Sequence, residues 1–242
     1  MVHLPSKRRC RNLDHVPGDA DIAASAALLA DRTRAEMVAQ LSDGRAMPAS
    51  ELAARTGVSR PTASAHLDKL RQAGWLRVDR QGRHRYYRLA DPALAEAVEA
   101  LARVSPARPV RGLRADTRGA VLREARFCYD HLAGRLGVEL TEELRLGGIL
   151  EEADGRYDLT PKGEARLEAF GLDVAALRRK RRSFAHPCLD WSERRHHLAG
   201  ALGAGLADRL VELGWVRRRR ETRAVRLPAA GREGLRETFG LG

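Results

Sequence analysis

Aromatic side chains make up only 5% of the chain, lysine supplies 4 of its 44 basic residues, and there are three cysteines. Each scarcity excludes something. Cys10, Cys128 and Cys188 are too few for a dense disulfide framework. No apolar run reaches the length of a membrane span or a signal-peptide core, so the sequence predicts a cytoplasmic protein with no membrane partner. Nor is there a basic amphipathic helix with a bulky apolar face, which turns the formal charge of +12 away from lipid and toward a polyanion such as DNA. The excess of arginine over lysine, beside so much Ala, Gly and Leu, reads as genomic base composition rather than a demand for guanidinium chemistry. No Gly-rich phosphate loop, nucleophile elbow or metalloprotease motif occurs, so neither an enzyme nor a cofactor is expected.

At 242 residues the chain has room for two modest domains, each with its own core. Charge does not say which one meets DNA. Residues 1–104 carry 17 basic and 12 acidic side chains, net +5, and the remainder carries 27 and 20, net +7.

The most informative stretch is Leu52–Leu76, LAARTGVSRPTASAHLDKLRQAGWL, which reads as a helix, a tight turn at Gly57 and a second helix opening at Ser59. Ser59 can cap the first turn, Pro61 is tolerated there, and Gly74 stops the helix. Ala63, Leu67 and Leu70 form a narrow apolar stripe. The rest of that surface offers Arg60, Thr62, Ser64, Ala65 and Lys69, with Ser59 at its start: short hydrogen-bonding groups, a methyl and two cations, suited to base edges and phosphates in a major groove. Trp75–Val78 and His84–Leu89 then alternate as two strands around the polar tip Asp79–Arg83, completing a winged helix. Arg80, Gln81, Arg83, His84 and Arg85 are placed to meet the phosphate backbone.

These motifs carry a resemblance. Leu29-Ala30-Asp31-Arg32-Thr33-Arg34, Glu51-Leu52-Ala53, Val58-Ser59, Ser64-x-His66-Leu67, Leu70-Arg71-x-Ala73-Gly74 and Gly82-Arg83-x-Arg85-Tyr86-Tyr87 resemble the ArsR/SmtB family of bacterial winged-helix repressors over about residues 20–103. The resemblance implies a homodimer that binds an inverted repeat in double-stranded DNA and responds to an effector. It also implies that the first and last helices of the domain form the dimer interface. Such proteins often sense metal through cysteines on the helix before the recognition helix, or through carboxylates and imidazoles on the last helix. Here the first position reads Glu51-Leu52-Ala53-Ala54-Arg55-Thr56 without a thiol, and the last helix offers Asp91, Glu96 and Glu99 without a histidine.

The order along the chain is then a flexible basic tail (1–19, with Lys7-Arg8-Arg9-x-Arg11), the DNA-binding domain (20–103), a Pro/Gly-containing linker (104–115) and a C-terminal sensor or assembly domain (116–242). Within the first domain, Asp21–Leu41 has helical spacing with a break near Asp31. The C-terminal domain is duplicated: residues 131–150 and 197–216 share nine identities in twenty at a constant offset of 66, giving units of about 117–182 and 183–242. Leu132-Ala133-x-x-Leu136-Gly137-Val138 and Leu198-Ala199-x-x-Leu202-Gly203-Ala204 echo Leu52-Ala53-x-x-Thr56-Gly57-Val58. Fifteen residues separate Val58 from Gly74, but nine separate Val138 from Gly148 and Ala204 from Gly214. Six missing residues predict a second helix shorter by roughly 9 Å. Glu139, Glu142 and Glu143 would moreover repel phosphate. The predicted fold is mainly α with small β-hairpin wings: a winged helix-turn-helix followed by two shortened winged-helix-like repeats that do not read DNA.

Arg178–Arg182 and Arg217–Arg220 read as solvated charge. For the cysteines the favoured reading is small apolar groups in a core, and no metal is assigned. The secondary reading is a tetrahedral zinc set drawn from Cys128, His131, His186 and Cys188, with Cys128 and His131 on one helix face. Phe127, Tyr129, Phe184, Trp191 and Trp215 could line a pocket for a small-molecule effector, although ordinary core ranks ahead. The alternatives to a regulator are a Cys/His-dependent enzyme in the C-terminal half and a sequence-neutral architectural DNA-binding protein.

Overall fold

The computed structural model describes residues 20–82, 84–106, 113–220 and 222–242. The basic tail, half of the expected linker and the wing residue Arg83 lie outside the described residues.

The N-terminal half begins with α1 (Ile22–Ala30) and α2 (Arg32–Leu41), which meet at a corner on Asp31. Asp31 caps α2 by accepting from the Arg34 backbone N–H at 2.9 Å. That bond, more than the nearby His66 and Arg34 charges, holds its carboxyl below the ordinary value against the pull of burial. The Arg34 side chain closes the corner by donating to the Leu28 and Ala27 carbonyls, which otherwise end α1 unsatisfied. A short β1 (Met47–Pro48) leads into α3 (Ala49–Thr56), then α4 (Arg60–Gln72), β2 (Leu76–Gln81), β3 (His84–Leu89) and α5 (Pro92–Val104). The strands form one antiparallel sheet in the order β1-β3-β2. Met37, Leu41, Leu52, Leu67, Leu70 and Trp75 centre its core.

The C-terminal half has a core of its own around Phe127, Leu144, Leu167, Leu202, Leu210 and Leu235. Its first unit runs α6 (Leu113–Glu124), β4 (Arg126–Cys128), β5 (His131–Ala133), α7 (Arg135–Leu146), β6 (Leu150–Ala153), β7 (Arg156–Leu159), α8 (Pro161–Ala169) and α9 (Val174–Arg178). The second runs β8 (His186–Leu189), β9 (His196–Ala199), α10 (Gly200–Glu212), β10 (Arg217–Arg218), β11 (Val225–Arg226) and α11 (Ala229–Phe239). Both units thus share the order hairpin, helix, hairpin, helix, which α6 and α9 flank in the first. The units exchange partners, with α7 packed on β9 and α10 on β5, as an approximate two-fold relation would produce.

Two expectations need correction here. The Leu-Ala phrases are strand ends rather than first helices, and α7 and α10, with 12 and 13 residues, lack the expected six-residue shortening relative to the 13-residue α4. What each C-terminal unit lacks is the first helix and the turn. The misleading letter is glycine. Gly57 has φ +69° and makes a real turn. Gly137 and Gly203 lie inside continuous helices, where an added Cβ would stand 2.4 and 2.5 Å from the Leu132 and Leu198 carbonyl oxygens. Glycine is there for close approach, not for a turn. The first turns of α10 are buried, from Gly200 through Ala204.

Candidate functional site

The exposed surface of α4 is built locally. Ser59 sits at the N-cap of α4, its hydroxyl accepting from the Thr62 N–H and lying 2.8 Å from the Thr62 hydroxyl. Ala63, Leu67 and Leu70 are fully buried. Ser59, Arg60, Thr62, Ser64, Ala65 and Lys69 are all exposed. The wing pairs Leu76 with Leu89 at its base and Gln81 with His84 at its far end, so β2 runs past Val78, further than apolar alternation suggests, while β3 keeps the expected His84–Leu89. Backbone pairing carries an exposed hairpin past the point where its side chains need burial. Arg80, Gln81, His84 and Arg85 are exposed, and Arg80 stands directly opposite Arg85. Like charges in that position work against the hairpin.

The charge pairing on this face is selective. Arg71 bonds Asp68 and Arg88 bonds Asp79 at 2.7 Å. Arg60, Lys69, Arg80 and Arg85 have no carboxylate partner among the described residues. Two of these cations lie on the exposed surface of the 13-residue α4, whose first turn is the helix's positive end, and two on the exposed wing.

A second constellation lies in the C-terminal half. Cys128 and His131 face each other across the β4–β5 hairpin, and Cys188 and His197 across β8–β9. The first pair is therefore joined by strand register, not by a helix face. The two hairpins bring one ligand atom each from Cys128, His131, Cys188 and His197 within 4.8 Å of one another. The two imidazole Nε2 atoms are 3.2 Å apart. His131 Nδ1 lies 3.2 Å from Asp130 Oδ1, and His197 Nδ1 lies 3.4 Å from Asp190 Oδ2. Asp130 is in turn bonded by Arg182, and Asp190 by Arg126 at 2.9 Å and the Gly134 N–H at 2.7 Å.

His186 does not belong to this group. It sits opposite Ala199, two residues along the strand from Cys188, roughly 7 Å away at a strand's rise. His197 takes its place, and the repeat alignment held the signal, since its first matched pair is His131 with His197. Cys128 is buried, and the bond with Cys188 together with that burial pushes its thiol up to about 12.

The aromatics do not converge. Phe127 lies under the Arg218 guanidinium, 3.4 Å from its ring centre, and Phe184 under Arg178. Trp191 stacks on Arg126, Trp215 on Phe170, and Tyr129 packs against the N-terminal core. A groove of about 400 Å³ instead runs between α5 and β8, lined by Glu96, Arg103, His186 and Cys188 among others.

Several contacts tie the halves together. Arg45 donates to the Arg219 and Thr222 carbonyls at 2.9 and 2.8 Å, Arg55 donates to the Arg220 carbonyl, and Arg218 donates to the Asp43 carbonyl at 3.2 Å. The arginine run 217–220 is thus partly a strap rather than solvated charge. Glu99 of α5 meets Arg126 and Arg223 in the C-terminal half.

Comparison with known proteins agrees with the geometry. A family described as a helix-turn-helix domain matches residues 29–79. The chain is 42% identical over 212 residues to the uncharacterized HTH-type transcriptional regulator YdfF of Bacillus subtilis, covering 88% of this chain and 94% of that protein. It is 41% identical over 76 residues to the HTH-type transcriptional regulator CmtR of Mycobacterium bovis, covering 31% of this chain and 64% of that one. Among solved structures, the transcriptional repressor BigR from Xylella fastidiosa is 28% identical, with 36% of this chain and 88% of that chain covered and a TM-score of 0.33. No helix among the described residues is long and apolar enough to cross a membrane. A winged helix with an exposed polar probe, in a chain alike to YdfF over nearly its whole length, makes this protein a member of the HTH-type transcriptional regulators, DNA-binding through an ArsR/SmtB-like N-terminal domain.

Proposed function

We propose that two copies of the chain pair, set their α4 helices into successive major grooves of an inverted repeat, and repress transcription there, with the C-terminal half answering an effector. In this reading Arg60, Thr62, Ser64, Ala65 and Lys69 meet base edges and phosphates. Ser59, Arg80, Gln81, Arg83, His84 and Arg85 hold the flanking backbone. The observation that carries it is the set of four exposed cations on α4 and the wing, Arg60, Lys69, Arg80 and Arg85, that have no carboxylate partner among the described residues. A phosphate backbone supplies what they lack. Such a role belongs in the cytoplasm, with the chromosome.

Pairing has its own support. Helix α1, IAASAALLA, buries no residue, and Ile22, Leu101 and Val104 are 76, 48 and 81% exposed. Apolar faces of that kind on the first and last helices of the domain are suited to a second copy.

A footprint upstream of the protein's own gene tests the reading. A bounded, symmetric protected site that weakens or strengthens with added ligand supports it. Uniform protection of unrelated DNA would instead favour a sequence-neutral architectural protein. The enzyme alternative gains nothing from Cys128, which is buried and so out of a substrate's reach.

A further inference from the structure

The two hairpins of the duplicated half place four soft or borderline donors around one point, and we propose that Cys128, His131, Cys188 and His197 form a tetrahedral Cys2His2 site for a divalent ion of the zinc class. The inference deepens the effector reading above and rests on it for its regulatory meaning, although the site itself stands on geometry alone.

Bond lengths of about 2.0–2.1 Å to imidazole nitrogen put two tetrahedral nitrogen ligands about 3.3 Å apart. His131 Nε2 and His197 Nε2 are 3.2 Å apart. All four donor atoms fit within 4.8 Å, and three of the four residues are buried. The outer contacts are those a metal-binding imidazole needs. Asp130 bonds His131 Nδ1 at 3.2 Å, which favours the proton there and frees Nε2, while Asp190 stands 3.4 Å from a His197 Nδ1 that makes no hydrogen bond, on the side where a metal-bound imidazole keeps its N–H. With both protons on Nδ1 the two Nε2 lone pairs, 3.2 Å apart, would face one another in a buried place, and a cation between them removes that repulsion. A divalent ion with two thiolates is neutral overall, which suits burial. The carboxylates behind the rings are already balanced, Asp130 by Arg182 and Asp190 by Arg126.

The donor set also limits the ion. Two sulfurs and two imidazoles in a tetrahedron favour zinc and its mimics over hard cations such as magnesium or calcium. Each unit of the duplication supplies one cysteine and one histidine, so the site exists only when the two units are docked. Asp190 extends it outward: it touches His197, Arg126 and the Gly134 N–H, and Arg126 meets Glu99 on α5. Filling the site would therefore stiffen the face on which the DNA-binding half rests.

The test uses the full chain, purified under reducing conditions, stripped with a chelator and titrated with Co(II). The expected result is one ion per chain, with the intense visible bands of tetrahedral cobalt and a thiolate charge-transfer band, both abolished by Zn(II). Cys188→Ser and His197→Asn should remove the spectrum, and Asp190→Asn should weaken binding by about 10–100-fold. His186→Asn should bind as the natural chain does. Absence of the tetrahedral spectrum from a chain with its full helical circular dichroism and intact operator binding overturns the site. A spectrum lost on His186→Asn but kept on His197→Asn does the same. Operator affinity measured with and without Zn(II) separates the two layers. A filled site that leaves affinity unchanged upholds the metal site and removes its effector role, while loss of operator binding in every form speaks against the regulatory reading alone.

Discussion

Glu99, on the last helix of the DNA-binding half, and Arg126, on the first strand of the C-terminal half, lie 3.4 Å apart with side chains 1% and 0% exposed. Arg223 closes on the same carboxylate. Burying three charges is unfavourable unless each has its partner, so the pairing fixes how the halves dock. Glu99→Gln leaves Arg126 with less compensation and should lower stability by about 3–5 kcal/mol, read by urea unfolding at neutral pH. Unchanged stability would deny the pair its structural role.

The same carboxylate gives a pH signature. Burial pulls it upward, but the Arg223 and Arg126 charges outweigh that pull and hold it below its ordinary value of 4.5. A lowered folded value means its contribution is complete above pH 4.5 and fades as acid approaches the lowered value. Thermal unfolding followed from neutral pH downward should show a shallower acid decline in Glu99→Gln than in the natural chain.

On the reading face, Arg60→Ala and Ser64→Ala should weaken operator binding more than binding to random DNA. Each lost base contact is worth about 1–3 kcal/mol. Arg80→Ala and Arg85→Ala should lower both and reduce the salt slope by about one unit each. Gel-shift titrations at several salt concentrations distinguish the two classes, and equal losses on both DNAs for all four variants would contradict the assignment.

Leu101→Asp and Val104→Asp put charge on an apolar face that the single chain leaves exposed. If that face joins two copies, sedimentation should report monomers and operator affinity should fall, while the unfolding temperature of the isolated chain stays nearly the same. A dimer that survives both changes would move the interface elsewhere.

Gly203→Ala tests the close approach within the duplicated half. The new methyl would stand 2.5 Å from the Leu198 carbonyl oxygen and 3.3 Å from His131 Cβ. Overpacking of this kind typically destabilises by about 1–3 kcal/mol, measurable by thermal unfolding. Gly57→Ala meets nothing within 4 Å and is strained only by its φ of +69°, so its loss should be smaller.

The contrast between those glycines explains what could be read from the sequence. The recognition helix was legible because everything that defines it is local: Ser59 capping Thr62, Ala63, Leu67 and Leu70 on one stripe, Gly74 at its end. The duplication was legible as well. The first helix and turn of each C-terminal unit were misread because Gly137 in a Leu-Gly-Val setting looks like Gly57, and only a distant carbonyl reveals its purpose. His197 was overlooked in favour of His186 because the choice depends on hairpin register. Arg218 reads as solvated charge in the sequence because its ring partner Phe127 lies 91 residues earlier in the chain.

The strap between the halves has an evolutionary implication. Arg45 and Arg55 grip main-chain oxygens of residues 219, 220 and 222, and an oxygen of that kind is present whatever side chain the residue bears. Descendants of this gene can therefore rewrite that segment freely and stay joined, while the two guanidinium donors have no such licence.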